Sequence, residues 1–439
     1  MARVQAEKGS KKLLNAWAFY DWANSVYSLV IASAIFPIFY GAIFRAAGIE
    51  KVNVFGFELE RTPLISYTTS VAFVFIAIIT PLLSGVADYL GNKKIFMKFF
   101  CYLGGLSCIG LYWFSIENIY LGLACYFFGL VGFWVSFAIN NSYLPDVAFL
   151  EQQDKISAKG FSMGYAGSVL LLLINLAMVM QPHWFGIMAD SETAEIKAMK
   201  ISFATVGIWW IGFAQYTFYH LPKGVKREGE RKNVILNGFK ELKGVWKQLG
   251  NEIKLKRYLI AFFVYSMAVQ TVMLIATYFG EEKINWGGDT ERTIGLIVSI
   301  LVIQLVAILG ALFTAKASNA FGNVKTLIGV NILWVAICIY AYFVITPTDF
   351  YIAAGCVGLV MGGIQALSRS TYSKFIPETT DTTSFFSFYD VSEKIGIVIG
   401  TFMFAYITQI TGNMRNAIIF LGLFFLVGAF LLTRVNKVK

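Results

Sequence analysis

The chain has 439 residues, 57% of them apolar and 14% charged, with a mean hydropathy of +0.65. Roughly a quarter of the residues of a soluble globular domain are charged, so that class is excluded. A chain this apolar is held by lipid, where helices satisfy their own backbone hydrogen bonds. The net charge of +10 would suit a nucleic-acid partner, but the placement of the basic residues gives it another use.

A membrane crossing takes roughly 20 mostly apolar residues. In chain order, apolar runs predict spans at 17–44, 63–87, 95–114, 119–143, 159–180, 199–221, 257–279, 292–315, 325–345, 350–372, 385–410 and 415–433. The first follows Arg3, Lys8, Lys11 and Lys12 and contains Ala32-Ser33-Ala34, as a signal peptide would. Asp21 and Asn24 interrupt what would be its apolar core, and the run continues to Phe44. It therefore reads as an uncleaved first span. With the N-terminus inside, 27 Lys and Arg lie on the cytoplasmic side and 8 outside, Lys394 within a span completing the 36. By the positive-inside rule both termini are expected in the cytoplasm, with the chain in a cell inner membrane. The basic excess orients the protein and calls for no nucleic acid.

The expected organisation is a cytoplasmic N-terminus (1–16), a six-helix bundle (17–221), a basic linker (222–256), a second six-helix bundle (257–435) and a cytoplasmic tail (436–439). With Arg257 the linker carries 11 Lys and Arg against 4 Glu. Its Ile235, Phe239, Leu242, Trp246, Leu249 and Ile253 recur at spacings of four and three. That makes one apolar helical stripe with basic flanks, suited to an anionic membrane surface. Docking of a regulatory partner is the other use of such a helix.

The halves repeat. Ala87-Asp88-Tyr89-Leu90-Gly91-Asn92-Lys93-Lys94 follows span two, and Ser318-Asn319-Ala320-Phe321-Gly322-Asn323-Val324-Lys325 follows span eight, 231 positions later. Spans four and ten end in Tyr143-Leu144-Pro145-Asp146 and Phe375-Ile376-Pro377-Glu378, and spans five and eleven both carry Gly-x-x-x-Gly, at Gly160/Gly164 and Gly396/Gly400. Three matches in corresponding slots predict a duplicated six-helix unit.

Gly85-x-x-Asp88-x-x-Gly91-x-Lys93-Lys94 resembles the signature of the major facilitator superfamily. A tight turn, an acid at a helix end and a basic cluster can form a latch that breaks when the halves rock. Positive-inside anchoring is the plainer use of the two lysines. Tyr20-Asp21-Trp22-Ala23-Asn24-Ser25, Gly362-Gly363-Ile364-Gln365-Ala366-Leu367-Ser368-Arg369-Ser370, Ile376-Pro377 and Phe385-Phe386-Ser387-Phe388-Tyr389 resemble the vacuole-effluxer-like branch, relatives of autophagy-linked vacuolar amino-acid exporters. Lys394 sits where that signature has a lysine. The resemblance implies an all-α polytopic protein of twelve transmembrane helices in two pseudo-repeated bundles, the major facilitator fold. It also implies export or redistribution of small solutes, amino acids foremost, with a proton or other ion as candidate companion.

Charges within spans cost roughly 2.5–3.5 kcal/mol each near mid-helix and mark function. The candidates for a substrate or ion pathway are Asp21, Asn24 and Tyr27 in span one, Asn140 and Asn141 at the end of span four, and Gln270 and Gln304 in spans seven and eight. Gln365 and Arg369 in span ten, and Asp390, Glu393 and Lys394 in span eleven, complete the set. Asp390 and Lys394 are four apart, so they can pair on one helical face. Two uses stay open: a switchable ion-pair network closing the inner gate, or a vestibule that holds a zwitterion. Snorkelling to the interface is the plainer alternative for Asp21 and Arg369.

Cys101, Cys108, Cys125, Cys338 and Cys356 lie in apolar runs without metal-ligand spacing, so neither a metal nor another cofactor is expected. The two histidines, His183 and His220, and the lack of H-E-x-x-H, G-x-x-x-x-G-K-[ST] and G-x-S-x-G patterns argue against a membrane enzyme or an ATP-driven pump. The expected function is secondary active transport of a small zwitterionic solute by alternating access, with no obligate protein partner. A lipid flippase or a non-transporting membrane sensor on the same fold is the alternative.

Overall fold

The computed structural model describes residues 7–54, 56–188, 191–222 and 234–435. Among them eleven helices are long and apolar enough to cross a membrane. They are helix one (Lys11–Ala46), two (Arg61–Leu90), three (Lys93–Trp113), four (Ile119–Val147) and five (Leu150–Met180), then seven (Ile253–Lys283), eight (Glu291–Phe321), nine (Asn323–Phe343), ten (Pro347–Phe375), eleven (Thr382–Thr411) and twelve (Met414–Val435). Helix six (Ser191–His220) is more polar and packs against helices one and three. Most helices extend beyond the predicted apolar runs, because amphipathic end turns continue the backbone ladder past the hydrocarbon. Helix seven, for example, starts at Ile253, inside the stretch expected to be linker.

The repeat predicted from short matches extends to packing. Helix one packs on five and six, three on four and six, and two on four. Helix seven packs on eleven and twelve, nine on ten and twelve, and eight on ten. Each half encloses its own apolar core. Gly91 and Gly322, at matching positions, both take positive φ, 60° and 85°, where a side chain would be strained. They end helices two and eight and reverse the chain. The halves meet through helices two and four against eleven, and through five against eight and ten.

Three features differ from the sequence expectation. A hairpin of β1 (Lys51–Val54) and β2 (Phe57–Glu60), paired antiparallel with Val54 opposite Phe57, joins helices one and two. Its alternating pattern is too short to stand out beside twelve apolar runs. Helix one is π-wound over Tyr27–Ile35, a local widening common near functional positions.

The third difference is the linker. A linker helix (Val234–Asn251) docks on helix two through Gly238, a contact the sequence did not announce. A Cβ on Gly85 or on Gly238 would strike the opposing helix, and Asn237 donates to the Tyr89 hydroxyl at 3.0 Å. Val245 and Leu249 are buried, whereas Phe239, Trp246 and Ile253 remain exposed and Leu242 is half-buried. The side chain of Ile235, the rest of the basic stretch (223–233) and the tail 436–439 lie outside the described residues. Backbone contact between two glycines leaves no apolar signal in the sequence, so this docking was not legible there; the exposed Phe239, Trp246 and Ile253 keep much of the stripe turned outward. The end of the molecule that carries this helix is called the linker face below.

Candidate functional site

Helix ten presents Arg369 across the interface to helix one. Its guanidinium donates to Asp21 Oδ2 and Asn141 Oδ1, both at 3.0 Å, and to the Ser157 hydroxyl and carbonyl, both at 2.9 Å. Trp17 and Phe161 cover its two faces, with ring centroids 4.7 and 4.2 Å away. Asn140 Nδ2 approaches Asp21 Oδ1 at 3.4 Å, and Arg369 and Asp21 are each 1% exposed. This is no snorkelling pair: it bridges the two halves in a buried setting. A planar cation with five donors suits it, since nearly every N–H is met.

Helix five can lie close enough because Gly160 and Gly164 face helix one. A Cβ at Gly160 would fall on the Asp21 carboxylate, with Arg369 Nη2 3.0 Å away. Gly160→Ala is expected to cost about 1–3 kcal/mol by overpacking. Gly212→Ala, where no atom lies within 4 Å of the added methyl, serves as the control. Thermal unfolding in detergent reads the difference; equal midpoints would show that helix five yields.

Helix eleven carries the second cluster. Lys394 Nζ donates to Asp390 Oδ1 at 3.0 Å and to Glu393 Oε2 at 3.1 Å. It also sits 3.4 Å from the centroid of Trp134, on helix four of the other half. Gln270 on helix seven donates to Glu393 Oε1 at 2.6 Å. The i,i+4 pairing is thus present. The sequence candidates fall into two clusters, one joined through Arg369 and one through Lys394.

The signature after helix two makes contacts of a latch's form, with Asp88 and Lys93 both reaching the start of helix eleven. Asp88 accepts from the backbone N–H groups of Thr383 (3.3 Å) and Ser384 (2.7 Å) at the start of helix eleven. It therefore caps a helix N-terminus, whose N–H groups lack partners and favour an anion. Lys93 reaches Asp146 at 2.5 Å, the Ser142 carbonyl at 2.9 Å and the Thr382 hydroxyl at 2.8 Å. Lys94 donates to the Leu221 carbonyl at 2.6 Å. Asp88→Asn is expected to weaken the closed linker face by about 1–2 kcal/mol and to raise labelling of cysteines placed inside it. Unchanged labelling would reduce the motif to an orientation signal.

A matching latch from the other half was missed in the sequence. Asp154, near the start of helix five, accepts from Ser318 (2.9 Å), Asn323 (2.8 Å) and Lys374 (2.6 Å). Ser318 and Asn323 belong to the repeated motif after helix eight. The repeat was a usable signal; the acid was overlooked because it sits on the opposite half.

The remaining candidates divide. Gln365, half-buried one turn beyond Arg369, accepts from the Tyr165 hydroxyl at 2.6 Å across the interface. Gln304 is half-buried on helix eight and hydrogen-bonds to neither cluster. Tyr27 does not line the interface: it stacks on Phe133 at 5.0 Å inside its own bundle. Asn24 is fully buried with both amide atoms unpartnered. Asn24 lies three residues from Asp21 in the regular part of helix one, whereas Tyr27 opens the widened stretch.

Two repeated bundles with charge pairs buried between them define a class, the membrane transporters of the major facilitator type. Solved structures agree. The chain matches the transporter FucP in its outward conformation with a TM-score of 0.70 at 15% identity, covering 97% of this chain and 98% of that one. It matches the proton:xylose symporter XylE with a TM-score of 0.70 at 11% identity, over 96% and 95%. At such identities the likeness is one of fold. The chain belongs to the family described as vacuole effluxer Atg22 like, whose model matches residues 9–439. The MFS-type transporter YxiO of Bacillus subtilis is 30% identical over 96% of this chain and 94% of its own length. Autophagy-related protein 22 of Eremothecium gossypii is 23% identical, over 93% and 87%.

Proposed function

We propose that this chain is a secondary active transporter that exports a small zwitterionic solute, an amino acid or a close relative, by rocking its two bundles. The observation that carries the reading is the Asp21–Arg369 pair, fully buried and drawn from opposite halves. Such a pair is of use if it breaks and re-forms as the site is exposed to either side in turn. Beyond that seal, Gln270, Gln365 and Glu393 offer half-buried polar groups to a solute. The linker face is the cytoplasmic one on this reading, from the 27-to-8 basic bias. Reporter fusions after Lys439 and within Lys226–Lys232 are expected to report cytoplasm, and a signal from the far side at either point overturns that orientation.

A lipid substrate draws on one observation, a groove of about 500 Å³ between helices eight, nine and ten, edged by Phe313, Phe321, Lys325 and Leu333. It lies on an exposed flank rather than between the halves, and the polar interface favours the solute. The test is purified protein screened for thermal stabilisation by amino acids, dipeptides, sugars, nucleosides and lipids, since a ligand of the folded state raises its apparent stability. Counterflow in proteoliposomes follows. Stabilisation and exchange by amino acids support the reading; a response confined to sugars or lipids overturns it.

A further inference from the structure

The two clusters differ in their charge balance. Asp21 and Arg369 cancel. On helix eleven two carboxyls, Asp390 and Glu393, share the single ammonium of Lys394. The Asp390 side chain is 5% exposed, that of Lys394 1% and that of Glu393 14%. A net negative charge is costly in such a place, and the cluster is one positive charge short of balance.

The valences point the same way. Lys394 has three N–H groups; its nitrogen lies within bonding distance of both carboxyls and over the Trp134 ring. It has little left for the carboxylate of a solute. Asp390 Oδ2, by contrast, is buried with no hydrogen-bond partner. The vacancy in this cluster is for a positive charge.

Among the described residues the charges around it are few. The charged groups that act on Asp390 are Lys394 and Glu393 of its own helix. Helix seven faces the cluster with Gln270, and helix four with Trp134. The acid that helix two brings to helix eleven, Asp88, is held at the first turn by Thr383 and Ser384. The linker helix meets helix eleven through Trp246 on Phe388. The arginines of helix twelve, Arg415 and Arg434, sit at its two ends, and Arg369 of helix ten is tied to Asp21.

We propose that Asp390, Glu393 and Lys394 form an exchange site at which one proton and the ammonium group of the solute compete for the same carboxyl pair, so that export of the amine is driven by proton entry. This rests on the solute reading above and supplies its coupling. The step balances without a further reactant: the ammonium enters, the shared proton leaves the carboxyl for water, and the charge of the site is unchanged. When the site faces the other side, a proton returns and the amine departs. A solute without an ammonium group cannot displace the proton, whatever its other contacts.

The test uses the full-length protein in lipid. Infrared difference spectra taken across a pH titration are expected to show a protonated-carboxyl band that Asp390→Asn and Glu393→Gln each remove or shift. Amino-acid amides, which keep the ammonium and lack the carboxylate, are then added as probes beside N-acetyl amino acids, which have the reverse. Titration calorimetry in two buffers of different ionisation enthalpy is expected to give release of about one proton per amide bound, and none with the N-acetyl compounds. A missing band, or one untouched by both variants, overturns the proton site. Amide binding without proton release overturns the exchange while the transport reading stands. If neither probe class binds but the band behaves as stated, the proton site holds and the amino-acid reading is what fails.

Discussion

Replacing Arg369 by alanine is expected to open the linker face and to abolish transport, the largest single effect in the molecule. The substitution removes the counter-ion of Asp21, which is 1% exposed and would keep only the long contact to Asn140 at 3.4 Å. Leaving a buried carboxylate uncompensated costs about 3–5 kcal/mol. The same change takes the guanidinium from between Trp17 and Phe161 and frees Ser157 and Asn141, so the closed arrangement loses far more than any open one in which the pair is apart. The midpoint of thermal unfolding should fall, and a cysteine placed at Ala158, in the seam between helices five, eight and ten, should label faster from the linker face. Asp21→Asn combined with Arg369→Gln removes both charges and is expected to recover much of the stability without recovering transport. Solute flux at the parent rate in Arg369→Ala would show that the pair is a structural fastening with no part in the cycle.

Lys394→Ala is expected to be nearly as severe, for a different reason. Asp390 and Glu393 would face each other without their shared cation, at a cost of about 3–5 kcal/mol if the cluster is dry and far less if water reaches it. Adding Asp390→Asn lowers the charge to be buried, so the double variant should fold better than Lys394→Ala alone. Its transport should still fail, since both the lysine that holds the cluster across to Trp134 and one of the two carboxyls are gone. Thermal midpoints and proteoliposome flux separate the outcomes. If Lys394→Ala by itself moves solute at the parent rate, helix eleven contributes structure alone.

Much of this architecture was legible in one dimension. The spans, the duplication and the costly residues Asp21, Arg369, Asp390, Glu393 and Lys394 follow from local composition, because insertion cost depends on a residue's own depth. The Asp390–Lys394 pair was legible too, since four residues along a helix return to the same face. The docking of the linker helix was not legible: Gly238 on Gly85 has no hydrophobic period, while Phe239 and Trp246 stay outside. The second latch was hidden because the repeat carries Ser318 and Asn323 but its acid, Asp154, lies 164 and 169 residues away.

What the sequence determined by itself was therefore the inventory: a series of apolar helices, their repeated order and the few charges inside them. Tertiary structure decided the pairing. Arg369 finds Asp21 across 348 residues, Asp88 reaches the start of helix eleven, and Lys394 settles against Trp134 of the other half. The physical reason lies in the solvent. A helix in water marks its buried face with an apolar stripe, but lipid is as apolar as a protein core, so a membrane helix need not show which of its faces meets another helix.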